Sequence, residues 1–164
     1  MNESTLKQSE HSGADRCLWG ILALGLAIRL AYVFLIAPPG FHGPDEPLYD
    51  KLAWRLASEG RYYAEDHLGR ISRANRPVLL PLVLSGFYAI FGRKVAFPRA
   101  FQCVLGALTC GLAYALGRRF FGRRAGLIAG IGTAAFPQLI YYTATLTTET
   151  LSIFLLTAAV LLLA

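Results

Sequence analysis

Residues 17–37 read CLWGILALGLAIRLAYVFLIA, an apolar run broken by a single charge, Arg29. About 20 such residues suffice to cross a bilayer. Inside hydrocarbon every backbone polar group must be satisfied within the chain, so the run is readable only as a helix. A secretory signal is the rival reading. Its apolar core runs to about 7–15 residues and ends at a small-residue cleavage site. This run is longer and leads into Pro38-Pro39-Gly40, so it reads as an uncleaved signal anchor. Residues 1–16 are polar and of mixed charge, and read as a disordered cytoplasmic tail.

The remaining chain supports a membrane protein. Of 164 residues, 55% are hydrophobic and 16% charged, against about 25% charged in soluble domains. The net charge is +6, but its arginines abut apolar runs. No basic stripe with interleaved aromatics forms, so a nucleic-acid partner is not indicated. Cys17, Cys103 and Cys110 match no metal-binding spacing. Cys103 and Cys110 lie about 10 Å apart along one predicted helix, too far for a disulfide, and read as small apolar fillers.

Arg29 lies past the middle of the first span. An intramembrane arginine costs about 2.5–3.5 kcal/mol on insertion scales. It either snorkels to the outer interface or holds a lipid phosphate or buried carboxylate.

After the span, residues 38–76 hold six basic and six acidic residues. Residues 45–59 read as a helix, with Leu48, Leu52, Leu56 and Tyr49, Ala53 at helical spacing and Gly60 as its stop. Trp54, Tyr62 and Tyr63 give it the look of an interfacial helix, with Asp45, Asp50, Lys51 and Arg55 facing outward. Residues 77–92 are apolar but short and contain Pro81, as in a re-entrant or juxtamembrane helix. Further spans are expected at about 98–117, 125–143 and 150–164. The last stops short at Ala164, so the chain reads as the N-terminal piece of a longer polytopic protein.

Between the second and third spans stands Arg118-Arg119-Phe120-Phe121-Gly122-Arg123-Arg124. Four arginines in so short a loop are a strong positive-inside signal. With that loop in the cytoplasm, residues 38–97 form an outer loop, 77–92 does not cross, and Asp45 and Glu149 share the outer face. The expected fold is therefore all-α: a multi-pass transmembrane helical protein with juxtamembrane helices in its first outer loop.

Several segments in order now resemble a known family. They are Arg76-Pro77, the apolar helix to Phe91-Gly92, Pro98-Arg99-Ala100-Phe101, then Gly117 through Gly126 around the arginines, and Thr148-Glu149-Thr150. Together they resemble the dolichyl-phosphate-mannose protein mannosyltransferase superfamily over roughly residues 17–164. These are GT-C-type glycosyltransferases using polyprenyl-phosphate sugars, and they include aminoarabinose and lipopolysaccharide-core sugar transferases. The resemblance implies a bacterial inner-membrane enzyme with its active site on the extracytoplasmic face. It implies a polyprenyl-phosphate sugar donor, a lipid, glycan or protein acceptor, and inversion at the anomeric carbon. It also implies a catalytic Asp in the first outer loop, where Asp45-Glu46 stands, and a basic residue before a proline, where Arg76 stands. A second acid is implied in the next outer loop, where Glu149 stands. Relatives often have Lys at the first of these basic positions, a further proline at Val78, and Asp at Glu149. The family's later helices are absent here, so the chain alone is expected to be inactive.

The chemistry asks for a base, an anion clamp and an orienting group. A carboxylate within reach of the acceptor hydroxyl serves as general base, which points to Asp45. A guanidinium forms paired bonds to phosphate, which points to Arg76, with Arg73 and Arg70 behind it. Glu149 is a second catalytic candidate, orienting the acceptor or sharing a divalent metal with Asp45; no cofactor is required by the sequence. Glu46 and Tyr49 are candidate substrate contacts. Each has a plainer alternative. Asp45 in front of Pro47 suits a helix N-cap, Glu46 a solvated first-turn acid, Arg76 an interfacial anchor and Glu149 a surface acid. His42 and His67 have no visible partner. The competing function is a transporter or flippase with Arg29 in its path, but transporters gather polar groups near the midplane, whereas here they gather in one outer loop.

Overall fold

The computed structural model describes residues 3–65, 71–72 and 76–164, with side chains described for 16–63 and 76–164. Among these residues there are seven α-helices, a π-helical turn and one small strand pair. Helix α1 spans Glu3–Ala31 and runs on through the turn Tyr32–Ile36. Helices α2 (Glu46–Glu59) and α3 (Leu79–Phe91) follow. Then come α4 (Ala96–Phe121), α5 (Arg123–Ala135), α6 (Pro137–Ala144) and α7 (Glu149–Leu163). Between α2 and α3 the strands β1 (Ala64–Glu65) and β2 (Ile71–Ser72) pair antiparallel, Ala64 opposite Ser72.

Two stretches, Arg16–Ile36 and Ala96–Phe121, are helical, long and apolar enough to cross a membrane. The first matches the run that opens the sequence. The polar residues before it are not a disordered tail from Glu3 onward, because α1 begins there. The second is longer than expected and carries Arg118 and Arg119 in its last turn.

The stretch expected as one span over 125–143 is two helices. Pro137 disfavours helical backbone at the residue before it, and Phe136 is extended, with φ −71° and ψ 115°. Pro137 then opens α6, where its fixed φ and missing N–H suit the first turn. Helix α7 has 15 residues, short of a bilayer crossing.

Side-chain neighbours fix the direction of packing. Gly111 faces Leu18 and Leu22, Gly25 faces Ala107 and Cys110, and Val33 clusters with Cys103. Numbers rise on α1 as they fall on α4, so these helices are antiparallel. Helix α5 turns back along α4 through Gly122, whose φ of +86° favours glycine. A Cβ on Gly126 would stand 2.7 Å from the Tyr114 carbonyl oxygen, and one on Gly117 would stand 2.9 Å from the Gly126 Cα. Contact this close between helices is the small-residue packing favoured where water supplies no driving force. Cys17 and Arg123 meet at one end of the bundle, at 3.4 Å. Gly40 and Arg99 meet at the other, at 2.6 Å.

At that second end α2 packs on α3. Tyr49 and Ala53 from α2 pack with Leu80, Leu84 and Tyr88 from α3 and with Leu146, which precedes α7. The short 77–92 segment is therefore a helix resting on its neighbour.

The hairpin can be tested by adding one methyl group. Gly126→Ala forces its Cβ onto backbone, and overpacking of this kind costs about 1–3 kcal/mol. Gly132 has nothing within 4 Å of its Cβ position, so Gly132→Ala gains helix propensity without a clash. Thermal unfolding in detergent should place the first variant below the wild type and the second at or above it.

Candidate active site at the α2–α3–α7 end

Asp45 occupies the residue before α2, the position of an N-cap, yet its side chain makes no capping bond. Only its backbone carbonyl serves the helix, accepting from the amides of Leu48 and Tyr49 at 3.1 Å each. The carboxylate turns instead to Arg76, whose Nη2 donates to Oδ1 at 2.5 Å. Both side chains stay accessible, Arg76 36% and Asp45 44% exposed. Exposed pairs contribute about 0–1 kcal/mol, so this pair does not hold the fold together. Arg76 is steadied from behind by the Tyr62 hydroxyl, which donates to its carbonyl at 2.9 Å.

Tyr49 links this pair to the start of α7. Burial raises its hydroxyl above the ordinary tyrosine range. Arg76 and a hydrogen bond with Thr148 oppose the rise, while Asp45 and Glu149 reinforce it. Tyr49 thus feels charges from three parts of the chain, Asp45 before α2, Arg76 before α3 and Glu149 at the start of α7, beside its hydrogen bond with Thr148. Glu149 stands in the first turn of α7, and its Oε2 is buried with no hydrogen-bond partner among the described residues. A buried carboxylate oxygen left unpaired is costly, so this atom is ready to accept from a bound hydroxyl.

Two buried carboxylates hold α2 in place, and neither behaves as its position suggests. Glu46 is not a solvated first-turn acid but is fully buried. Its Oε1 accepts from the amides of His42 at 2.6 Å and Gly43 at 2.8 Å. Its Oε2 accepts from Arg99 at 3.3 Å, and Arg99 also donates to the Gly40 carbonyl. Glu46 therefore shapes the loop before Asp45.

Asp50 does not face outward either. It is 2% exposed and accepts from the Tyr88 hydroxyl at 2.6 Å and from Arg93 at 3.1 and 2.5 Å. It bolts α2 to α3. Sequence reading passed over Asp50, Tyr88, Arg93, Arg99 and Thr148 as functional positions. One signal was present: Glu46, Tyr49, Asp50 and Ala53 share one face of α2, at the spacing of a buried stripe. Two acids on such a stripe demand cations opposite.

Arg73 and Arg70, the weaker phosphate candidates, and His67 lie outside the described residues. His42 is tied in through its main chain, its carbonyl accepting from Tyr141 at 3.2 Å, while its Nε2 is buried without a hydrogen-bond partner among the described residues. Among the described residues no three His, Cys, Asp or Glu side chains gather as a metal site. Cys103 and Cys110 are free and fully buried, as fillers would be.

The Asp50 bolt has a pH signature. Burial, with the Asp50 carboxylate beside it, pushes the Tyr88 hydroxyl well above its ordinary value of 10.0, against the opposing charges of Arg93 and Arg99. The neutral hydroxyl is thus favoured in the fold. Its contribution is full below pH 10 and is lost as pH rises beyond that. Tyr88→Phe removes a hydrogen bond to a charged group, worth about 1.5–3 kcal/mol. Melting temperature against pH should therefore show the variant less stable than wild type at pH 7, with the gap narrowing above pH 10.

A family model described as dolichyl-phosphate-mannose-protein mannosyltransferase matches residues 75–164. No curated protein and no solved structure matches the chain. The matched segment contains Arg76, Thr148 and Glu149, whereas Asp45 and Tyr49 precede it. The family is membrane-embedded and implies sugar transfer from polyprenyl-phosphate donors. With more than half its length matched, the chain belongs to the dolichyl-phosphate-mannose-protein mannosyltransferase family.

Proposed function

We infer that this protein is a multi-pass glycosyltransferase that moves a sugar from a polyprenyl-phosphate donor to a lipid, glycan or protein acceptor at the extracytoplasmic face of the cell membrane. The observation that supports this most is the ion pair of Asp45 with Arg76. It sets an accessible carboxylate beside the first basic residue of the family-matched segment, and Tyr49, one turn along α2 from Asp45, also feels the charge of Glu149.

The roles follow from the atoms. Asp45 takes the proton of the acceptor hydroxyl as that oxygen attacks the anomeric carbon. The bond from that carbon to the phosphate oxygen breaks, and its electron pair leaves with the polyprenyl phosphate. One base and one displacement invert the anomeric centre. Arg76 has five N–H donors and keeps others for phosphate while Nη2 stays on Asp45. Its Nε is buried without a partner among the described residues. Charge placed where the leaving group becomes anionic lowers the barrier. Glu149 orients the acceptor through Oε2, and Tyr49 keeps the two acids at a fixed spacing. Glu46 acts one step back, by holding the loop that presents Asp45.

The topology proposed with this function puts the Arg118–Arg124 end in the cytoplasm and the Asp45 end outside. The antiparallel packing of α1 on α4 supports it, because the chain leaves α1 and enters α4 at one end. Helices α2 and α3 then lie at that surface without crossing.

The test uses membrane vesicles from cells making the complete protein, supplied with a polyprenyl-phosphate sugar. Asp45→Asn keeps the size and removes the base, and transfer should fall by about 10²–10⁴-fold at equal protein level. Transfer at the wild-type rate would reduce Asp45 to a residue that starts α2. Arg76→Gln should lower the maximal rate as well as donor affinity, since it acts on the departing phosphate.

A further inference from the structure

Arg29 is the largest buried polar side chain that the proposed reaction does not use. It does not snorkel: only 1% of it is exposed, and it points into the bundle. Nη1 donates to the Gly25 carbonyl at 3.0 Å and Nη2 to the Thr133 carbonyl at 3.2 Å. Nε is buried with no partner, and among the described residues no carboxylate pairs with it. A buried guanidinium met by two neutral carbonyls and the Cys110 thiol, with no carboxylate, is an uncompensated charge, and such charges in membrane spans mark sites by default.

The surroundings are shaped for it. A Cβ on Gly106 would stand 2.4 Å from Nε and 2.8 Å from Cδ, so the absence of a side chain on α4 makes the slot. Arg29 lines a half-open cleft with Thr109, Leu139, Tyr142, Thr150 and Ile153. Thr150 Oγ1 is also buried without a partner. The cleft has room for about one water-sized group, enough for one oxygen of an anion whose remainder lies outside it. The walls beyond are Leu139 and Ile153, suited to an acyl or isoprenoid chain. The floor lies about 10 Å below the end of the first span, at 1.5 Å per residue from Arg29 to Ile36.

We propose that this cleft is a second anion site, separate from Arg76, which takes the phosphate of a membrane lipid through its open side. Arg29 supplies the charge, Thr150 a hydroxyl donor, and Gly106 the space. The lipid is the polyprenyl phosphate carrier or a phospholipid, since both present the same chemistry. The site rests on Arg29 and its neighbours alone and does not require the roles given to Asp45 and Arg76.

The experiment counts lipids retained by the complete purified protein, by native mass spectrometry. It is run in an Arg76→Gln background, so that the proposed active-site anion contact is removed. Delipidated protein is offered polyprenyl phosphate, phosphatidylglycerol, and the uncharged polyprenol as a control. Polyprenyl phosphate should be retained at least about tenfold better than polyprenol, as expected of charge-assisted hydrogen bonds. Arg29→Met, which keeps bulk and removes charge, should abolish that preference. Gly106→Ala should weaken it while leaving the charge in place, and it decides the matter if Arg29→Met fails to fold. Retention of polyprenyl phosphate alone assigns the site to the carrier. Retention of phosphatidylglycerol as well assigns it to lipid phosphates generally. No preference for anionic lipid, or a preference that both variants keep, would overturn the proposal and leave Arg29 a packing role at the Gly25 and Thr133 carbonyls.

Discussion

Two carboxylates on one face of α2 are the constraint on which the site depends. Glu46 and Asp50 lie one helical turn apart, and both are removed from water. A charge can be buried only where an opposite charge and hydrogen bonds meet it. Each carboxylate therefore dictates what must approach α2: Arg93 and Tyr88 for Asp50, Arg99 and two loop amides for Glu46. These contacts have direction, unlike the apolar contacts of Tyr49, Ala53, Leu80 and Leu84 around them. Apolar burial brings α2 and α3 together, and the carboxylates decide the register. Asp45 and Arg76 can then remain exposed and weakly held, because the residues beside them are not.

The bundle beneath works by a different rule. Between α1, α4 and α5 little distinguishes one apolar surface from another, so closeness of approach decides the packing. Gly117 and Gly126 let α4 and α5 touch backbone to backbone, and Gly130 admits Ile21 and Tyr114. The outcome is a stiff frame at one end of which the loop before α2 is tied, through Arg99, to the first turn of α4.

Much of this was legible in the sequence. The first span, the helix over 45–59, the short helix after Pro77 and the long helix through Cys103 and Cys110 all follow from the length and period of apolar runs. The resemblance to the family was legible too, in Arg76-Pro77 and Thr148-Glu149-Thr150. What escaped reading was governed by partners far away in the chain. Asp50 looks like a surface residue until Arg93 and Tyr88 are brought to it. Glu46 looks like an ordinary first-turn acid until the loop folds back over it. The break after Ala135 is different, because Pro137 announces it locally, and an apolar window simply averages over it. Arg29 could be recognised as anomalous but not placed, since its slot is made by Gly106 on another helix.

The helix break and the buried arginine are connected by a single proton. In an unbroken helix the carbonyl of Thr133 would accept from the amide four residues on. That residue is Pro137, which has no amide hydrogen. Arg29 Nη2 donates to this same oxygen. A side chain from α1 thus stands in for a main-chain donor that the proline deletes. The proline and the arginine form one device built from two helices. Loss of the Arg29 guanidinium would therefore be felt at the bend, where the Thr133 carbonyl would lose this donor.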